Sequence, residues 1–429
     1  MFSTIRRRLI FLTIVTLAAF LWSATFSFNL FLPDFTWRQH QLSGEEKKVE
    51  DPVINSFANG ALFISHEELF TVKRYELDKV QRRVIHHYNP PLEQITPLMS
   101  QLLNVRLVAK EQLERDIKGR YNRFTSTDRW DDRYNIPLTS IMHLDRQGQL
   151  KTSALWLGDI DVPVCTLRGE CYLVADGPFH ANKIVWYSQD GGISWQQLPQ
   201  WHAPETEPLS GLYYRELVAA DGDKLWLADG YRLFVSEDKG QSWHITADIR
   251  PLLKRNNIQQ ADSTAQNARI SRLRWYIDKQ QRLLADITVS LAEDRRERRF
   301  LYNVVSPQQE QILATNIRDI ARSPQGEIFF ISRISASRYG LYKLQENGVQ
   351  GLVLEHIDRL GKIYAGRNLL AVEKDVGDRM HLYLSRDGGK KWQRYKLPGK
   401  NVVFDGAGDR FIRFPEYYRT LNYQVSTFE

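Results

Sequence analysis

The sequence predicts an all-β fold: a β-propeller of six or seven four-stranded blades, with an N-terminal transmembrane helix and a short helical insertion. Two observations predict the propeller. The pattern Ser-x-Asp-x-Gly-x-(Ser)-Trp occurs three times, starting at Ser188, Ser236 and Ser385. The first two copies start 48 residues apart, and the third starts 149 residues later, close to three times that interval. A repeat of roughly 50 residues is the length of one four-stranded blade.

The blade count follows from the same interval. Two repeat units between Ser236 and Ser385 lack the motif, and extension in both directions leaves room for six or seven blades. Each blade has two apolar faces, so the ring must close for both faces to be buried. The 12% aromatic content, with 11 tryptophans in 429 residues, fits a β-rich core built from large flat side chains.

The repeated motif has the chemistry of a tight turn. Ser and Asp side chains satisfy backbone N–H groups, Gly takes a positive φ, and Trp folds back over the adjacent core. The pattern resembles the Asp-box, or BNR repeat, of the sialidase-like β-propellers, and we expect a non-catalytic member. The resemblance implies that the turns lie at the outer rim, away from a central funnel where ligands bind. The residues expected to have this structural role are Ser188, Asp190, Gly192, Trp195, Ser236, Asp238, Gly240, Trp243, Ser385, Asp387, Gly389 and Trp392.

The N-terminus predicts a membrane anchor. Arg6, Arg7 and Arg8 precede a mostly apolar run at residues 9–32, and Asp34 follows it. The run is long enough to cross a bilayer of about 30 Å, and the arginines place the N-terminus in the cytoplasm. A cleaved signal peptide is the alternative. The expected location is the bacterial inner membrane, as a single-pass protein with its C-terminal domain in the periplasm.

Four segments follow from this interpretation: a basic cytoplasmic segment at 1–8, the anchor at 9–32, a linker at 33–60 and the propeller at 61–429. Within the propeller, apolar residues near 91–120 follow a broken helical period and predict a helical insertion. This insertion either covers the domain with its apolar face or docks on a partner.

Three shorter stretches also carry expectations. The apolar runs at residues 61–64 and 68–72 are candidates for an outer or closing strand. The mixed-charge run at residues 293–299 is interpreted as a solvated hairpin tip.

The two cysteines predict a disulfide. In an oxidising compartment, the spacing of Cys165 and Cys171 favours a bridge across a tight loop centred on Arg168 and Gly169. Two thiolates are too few for a metal site, and no Cys-x-x-Cys or His-x-His pair accompanies them. No metal and no cofactor are predicted.

The resemblance raises the question of sialidase chemistry. The family's enzymes clamp a carboxylate with three arginines and use a tyrosine activated by a glutamate. Residues of these types form a possible funnel site at Arg413, Tyr214, Arg215 and Glu216, but Arg413 follows the last motif copy instead of preceding the first. Cross-strand pairing explains such clusters adequately. No Gly-x-Ser-x-Gly, P-loop or His-Glu-x-x-His motif is present, so no catalytic residue is predicted and a non-enzymatic role is favoured.

The leading hypothesis is a propeller that binds a protein partner in the cell envelope, as a toxin-neutralising immunity protein or an envelope assembly factor. With 58 basic and 51 acidic residues, the net charge of +7 suits an acidic partner. Nucleic acid is not expected, because no sustained basic tract is present. The alternatives are a sialidase-like glycoside hydrolase or sugar-binding propeller, and a purely structural scaffold.

Overall fold

The structure is a computed structural model, and it describes eighteen segments of the chain: residues 33–41, 50–57, 60–73, 80–82, 133–145, 147–157, 160–176, 183–198, 215–255, 269–290, 297–306, 309–336, 338–347, 350–356, 360–376, 379–399, 402–414 and 422–427. The expected cytoplasmic segment, the anchor at 9–32 and the insertion near 91–120 lie outside these residues. Within the described segments, no helix has the length and apolar character needed to cross a bilayer.

The described strands form seven antiparallel blades, which we number in chain order. The chain enters through β1 (Thr36–Gln41), the outermost strand of the last blade. Blade 1 comprises β2 (Glu50–Phe57), β3 (Gly60–Lys73), β5 (Arg133–Leu144) and β6 (Leu150–Leu157), with β4 (Val80–Arg82) paired to β3. Blade 2 comprises β7 (Val164–Cys165), β8 (Cys171–Asp176), β9 (Lys183–Ser188) and β10 (Gln196–Gln197). Blade 3 comprises β11 (Arg215–Asp221), β12 (Lys224–Asp229), β13 (Arg232–Ser236) and β14 (His244–Asp248), followed by a short helix α1 (Arg250–Arg255).

The second half of the ring repeats this pattern. Blade 4 comprises β15 (Arg269–Ile277), β16 (Leu283–Ser290), β17 (Glu297–Ser306) and β18 (Gln309–Thr315). Blade 5 comprises β19 (Ile317–Arg322), β20 (Ile328–Arg333), β21 (Tyr339–Leu344) and β22 (Gln350–His356). Blade 6 comprises β23 (Leu360–Ala365), β24 (Leu370–Val376), β25 (Arg379–Ser385) and β26 (Gln393–Lys396). Blade 7 comprises β27 (Val402–Asp405), β28 (Arg410–Arg413) and β29 (Asn422–Thr427), completed by β1.

The seven blades confirm the propeller and the upper of the two expected blade numbers. The motif copies lie between the third and fourth strands of blades 2, 3 and 6. Blades 4 and 5 are therefore the two units that lack the motif, as the spacing of the copies predicts.

Ring closure differs from the sequence expectation. Residues 33–60, expected to be a linker, contain β1 and β2. The closing strand is β1, which pairs with β29, whereas the apolar runs at 61–64 and 68–72 belong to β3 inside blade 1. The physical reason is that β1 is an outermost strand with little to bury. Its sequence, TWRQHQ, is polar at most positions and carries no apolar run.

The core is divided among the seams between neighbouring blades. The seam between blades 4 and 5 contains Leu284, Leu301, Ile320 and Phe330, and each of the other six seams has its own apolar cluster. Because both faces of a blade are covered, β16 is buried at six consecutive positions, without the polar alternation of a half-exposed strand.

The two faces of the ring carry different connections. Because the strands in a blade are antiparallel, hairpins alternate between the faces. The turns between third and fourth strands, including the three motif copies, lie on what we call the motif face. The hairpins between second and third strands, and the connections between blades, lie on the opposite face, which we call the pocket face.

The predicted disulfide is confirmed. Cys165 and Cys171 are bonded and lie directly opposite each other in the hairpin of β7 and β8. Gly169 has a φ of 93° at the tip of this hairpin, a value that favours glycine.

Candidate functional site

The motif turns are held by a dense set of local hydrogen bonds. Ser188 Oγ accepts from the Gly192 N–H at 2.8 Å, while Asp190 Oδ1 accepts from the N–H groups of Ile193 at 3.0 Å and Ser194 at 2.9 Å. The same main-chain contacts recur in the other two copies. The polar residues of the motif are therefore engaged in building a turn.

The remaining motif residues pack against the preceding blade. Trp195 contacts the apolar cluster between blades 1 and 2, and Trp243 and Trp392 pack at the seams before their own blades. Gly192 has a φ of 84°, and a Cβ atom at this position would overlap the Leu62 side chain of blade 1. The motif thus seals seams on the face where it lies.

The motif aspartates are stable acceptors. Burial raises the pKa of Asp190, but hydrogen bonds from Ser194, from Ser188 and from the backbone outweigh burial and lower the pKa to about 2. The pKa values of Asp238 and Asp387 are also lowered. A carboxylate with such a pKa is a poor proton donor at neutral pH.

Three of the four possible funnel residues are described, and they lie in two different blades. Arg413, in blade 7, donates from Nε to Gln424 Oε1 at 2.6 Å, and its guanidinium lies 4.2 Å from the centre of the Trp37 ring of β1. Arg215 and Glu216 belong to β11 in blade 3, and Tyr214 lies outside the described residues. The Arg413 side chain therefore extends from β28 toward the outer strands of blade 7, where its guanidinium stacks on Trp37 of the closing strand.

A cavity of about 710 Å³ lies between blades 4 and 5 on the pocket face. Cavities of roughly 300–1,000 Å³ accommodate small ligands or the side chains of a partner. Both blades contribute to its lining, which consists of Ser271, Arg272, Thr288, Glu297, Arg299, Asn316, Ile317, Arg318, Arg333 and Tyr339. Four of these residues are arginines and one is a glutamate, so the lining is strongly cationic.

Strand register explains how blade 4 supplies its part of the lining. Arg272 pairs with Thr288 across β15 and β16, and Thr288 pairs with Arg299 across β16 and β17. Residues paired across antiparallel strands point to the same side of the sheet, so this row presents two guanidinium groups toward blade 5. The register shift between Ile270 and Arg272 brings Ser271 into the lining as well.

Arg299 is fixed by a buried carboxylate. Its Nε and Nη2 donate to the two oxygens of Asp286, at 2.6 Å each, and Asp286 is fully buried. Nη1 reaches blade 5 and donates to the carbonyl oxygen of Arg318 at 3.0 Å. Burial lowers the pKa of the Arg299 guanidinium, but the hydrogen bonds and charge of Asp286 outweigh burial and raise it. Arg299 is therefore a permanently charged tie between two blades.

Blade 5 supplies the other two arginines. Arg333 donates from Nε to the carbonyl of Ser335 at 2.9 Å and from Nη2 to that of Ala336 at 2.6 Å, which holds it against its own loop. Arg318 lies 6.0 Å from the centre of the Tyr339 ring, within the range of a weak cation–π contact.

Arg272 and Arg318 are available to a ligand. Neither guanidinium forms a hydrogen bond or an ion pair with another residue in the described segments. A guanidinium presents five N–H donors in a fork that matches the two oxygens of a carboxylate. The cavity therefore combines two arginines committed to the fold with two that can bind an oxyanion.

Glu297 contributes the opposing charge in the lining. It is exposed and accepts a hydrogen bond from Ser271 Oγ at 3.1 Å. No hydrogen bond joins it to Tyr339 in the part of the chain that the structure describes. The cavity thus has a tyrosine and a glutamate but lacks the coupled pair that a sialidase-type nucleophile needs.

Coupled tyrosine–glutamate pairs do occur elsewhere. Tyr187 donates to Glu170 at 2.8 Å, and Tyr364 donates to Glu373 at 2.7 Å. Burial, and then the hydrogen bond to glutamate, raises the pKa of both tyrosines. A raised pKa opposes formation of the phenolate, and both rings pack in seam clusters, so these pairs are structural.

Sequence reasoning missed the arginines of this cavity. From the sequence alone, the run at residues 293–299 is interpreted as a solvated hairpin tip, yet the Arg299 side chain is only 11% exposed. The available signal was Asp286 inside the apolar strand β16, because a buried carboxylate requires a cationic partner. The alternation of Arg272 and Arg274 on β15 was a second signal.

The fold and the site define a seven-bladed β-propeller with a cationic cavity at one seam. Solved structures to which it is similar include the Cps50 (Swd1) β-propeller domain of Myceliophteria thermophila, at 11% identity over 68% of this chain and 94% of that chain, with a TM-score of 0.39. Others are the WD40 β-propeller domain of Doa1, at 10% identity over 68% and 86% with a TM-score of 0.32, and the Hadza microbial sialidase Hz136, at 12% identity over 68% and 73% with a TM-score of 0.32. No protein-family model matches the chain, and no curated protein matches it. Function therefore has to be argued from the site.

Proposed function

We propose that this chain is a non-catalytic propeller, anchored in the bacterial inner membrane through residues 9–32, that binds an acidic protein partner on its pocket face in the periplasm. The observation that carries the proposal is the arginine-lined cavity between blades 4 and 5, in which Arg272 and Arg318 have no ion-pair partner within the described segments. Within this class, the role is that of a toxin-neutralising immunity protein or an envelope assembly factor.

The rigidity of the cavity supports a binding role. Arg299 ties the two blades together through Asp286 and the main chain of Arg318. A site whose walls are already fixed loses little conformational freedom when a partner binds, and affinity rises accordingly. The net charge of +7 also favours approach of an acidic partner.

The start of the described chain is compatible with a short tether. The carbonyl of Pro33 accepts a hydrogen bond from the Lys396 N–H at 3.3 Å, and Phe35 is buried between Tyr395 and Phe411. The chain is therefore fixed to blades 6 and 7 within a few residues of the predicted span. In the proposed arrangement, the propeller stays close to the membrane surface.

Affinity capture from solubilised envelopes tests the proposal. The full-length chain is compared with an R272Q/R318Q variant and with an R38Q/R168Q control, which loses the same charge from exposed sites outside the cavity. A partner retained by the wild type and the control but lost by R272Q/R318Q is the expected result. Equal recovery by all three chains contradicts binding through the cavity.

The cavity also supports a second candidate, a propeller that binds an acidic sugar or hydrolyses it as a sialidase-like enzyme. The observation in its favour is the convergence of four arginines in a volume that a sugar can fill. Titration with N-acetylneuraminate and turnover of a fluorogenic sialoside test the two versions. Saturable binding lost in R272Q supports the sugar-binding version, and turnover lost in the same variant supports the enzyme.

A further inference from the structure

We propose that the cavity between blades 4 and 5 is a binding site for an acidic peptide segment, with Arg272 and Arg318 as the residues that bind its carboxylates. The inference rests on the proposed function and gives the partner a chemistry: a segment rich in Asp or Glu that inserts between the two blades.

The positions of the two arginines suit a ligand with more than one carboxylate. Arg272 lies on β15, the first strand of blade 4, and Arg318 lies on β19, the first strand of blade 5. Their main chains belong to different sheets, so the two guanidinium groups reach the cavity from different blades. A peptide carrying several carboxylates can engage both, each through a charge-assisted hydrogen bond.

The two committed arginines also line the cavity and add fixed positive charge to it. Arg299 is held by Asp286 and Arg333 by the carbonyls of its own loop. Their charges are fixed in place before a ligand arrives, so binding requires no rearrangement of these side chains. They favour anionic ligands and disfavour neutral ones.

The lining is better suited to an acidic peptide than to a sugar. Sugar sites commonly offer a bare aromatic face for stacking, but the Tyr339 ring is approached by Arg318 at 6.0 Å. Side-chain guanidinium groups are the principal donors of the cavity, as expected for carboxylate recognition.

Glu297 provides a test of opposite sign. It lines the same cavity, is exposed, and is held by the Ser271 hydroxyl. Its negative charge repels an acidic ligand. An E297Q variant keeps an oxygen that can accept from Ser271 while removing this repulsion, so it is expected to bind an acidic peptide more tightly.

The probe is hexaglutamate, with hexaglutamine as the uncharged control, measured by calorimetric titration of the full-length chain in detergent at low salt. We expect R272Q and R318Q each to weaken hexaglutamate binding about tenfold. E297Q should strengthen it by about two- to fivefold, since one nearby like charge is removed in a solvent-exposed setting. R168Q, a charge loss at an exposed loop of blade 2, should leave the affinity unchanged.

The outcomes separate this inference from the proposed function. Equal affinities in the wild type, R272Q and R318Q overturn the site, and so does an E297Q variant that binds more weakly. Binding of N-acetylneuraminate in place of hexaglutamate also overturns it and assigns the cavity to acidic sugars. If hexaglutamate binding depends on the arginines but capture of the envelope partner does not, the site stands and the proposed function fails.

Discussion

The seam that closes the ring and the seam that holds the cavity each contain an aspartate–arginine ion pair of the same kind. Between blades 7 and 1, Arg410 donates from Nε to Asp405 at 2.8 Å and from Nη2 to the carbonyl of Asp145 at 2.6 Å. Between blades 4 and 5, the Arg299–Asp286 pair reaches the main chain of blade 5 in the same way. In both seams, a buried Asp–Arg pair of one blade extends a guanidinium N–H to the backbone of its neighbour.

The two carboxylates differ in their other partners. Asp405 also accepts from Ser56 Oγ at 3.0 Å and from the N–H groups of Ala407 at 3.1 Å and Gly408 at 3.2 Å. Among side chains in the described segments, Asp286 is bonded by its arginine alone. A fully satisfied pair has no capacity left for a ligand, so the closing seam is structural.

The surroundings of the two pairs differ as well. At the closing seam, the Tyr423 hydroxyl donates to the Gly148 carbonyl at 2.8 Å and accepts from the Leu150 N–H at 3.0 Å, both within buried surroundings. The seam between blades 4 and 5 opens above its apolar cluster into a cavity with surplus positive charge. An aspartate–arginine pair therefore stabilises the closing seam, and a pair of the same kind shapes a binding site at the seam between blades 4 and 5.

The largest effect is expected from D405N at the closing seam. The variant places an amide NH₂ group against a buried guanidinium and leaves its charge unpaired, which should lower the free energy of unfolding by about 3–5 kcal/mol. Urea unfolding measures this loss. D223N is the control, because Asp223 pairs with Lys239 at the exposed surface and its loss should cost less than about 1 kcal/mol. Equal losses in the two variants would mean that the closing pair is not a structural tie.

The seam between blades 5 and 6, where a motif turn packs against the preceding blade, sharpens the comparison. Gly389 and Gly388 both have positive φ, at 94° and 70°. A Cβ atom on Gly389 would overlap Val353 of blade 5, whereas one on Gly388 would meet nothing within 4 Å. G388A should cost about 1–2 kcal/mol from backbone strain alone, and G389A about 2–4 kcal/mol because overpacking at the seam adds to it.

Urea unfolding of the two glycine variants decides whether packing of the motif turn seals this seam. Equal costs would show that the contact with Val353 does not contribute and that only the backbone conformation matters. The adjacent positions make the pair a matched control for each other.

At the cavity seam, D286N should have two effects of different sign. Loss of the carboxylate weakens the tie to Arg299 and should lower the free energy of unfolding by about 1–3 kcal/mol, less than D405N, because the guanidinium can turn toward the open cavity. The variant also removes the negative charge beneath the arginines, so its affinity for hexaglutamate should rise. If D286N lowers the free energy of unfolding as much as D405N does and leaves the affinity for hexaglutamate no higher, the two seams do not differ in the way proposed.

Much of the architecture was predictable because the motif has a fixed place in a blade. Ser188 and Ser236 lie in adjacent blades, and Ser385 lies three blades further on, so the intervals are close to one and three lengths of a repeat. The closing strand β1 was missed because its polar sequence gives no periodic signal. Its role depends on pairing with β29, nearly four hundred residues away in sequence.

The cavity was less predictable for a different reason. Arg272, Arg299 and Arg318 come from three strands, and their convergence depends on strand register, on the irregularity before Arg272 and on the contact between two blades. None of these is encoded in a short motif. The motif aspartates are easy to recognise in the sequence because the motif is repeated, but they are already engaged in turns.

The smallest expected effect concerns these motif aspartates, on the face away from the cavity. The folded-state pKa of Asp190 is lowered to about 2, below the value near 4 of an unfolded chain. Its carboxylate therefore stabilises the fold above about pH 4, and this contribution is lost as the pH falls toward 2. Because the site is largely exposed, D190N should lower the free energy of unfolding at pH 7 by only about 1 kcal/mol or less.

Urea unfolding at pH 7, 4 and 2.5 measures this dependence. The difference between the wild type and D190N should shrink as the pH falls, because protonation removes from the wild type the charge that the variant already lacks. A difference that stays constant with pH would assign the loss to turn geometry instead of charge. Affinity for hexaglutamate should be unchanged in D190N, since Asp190 lies on the motif face and the arginines lie on the pocket face, between two other blades. A change in affinity would mean that the faces are coupled and that the separation of structural turns from the binding seam does not hold.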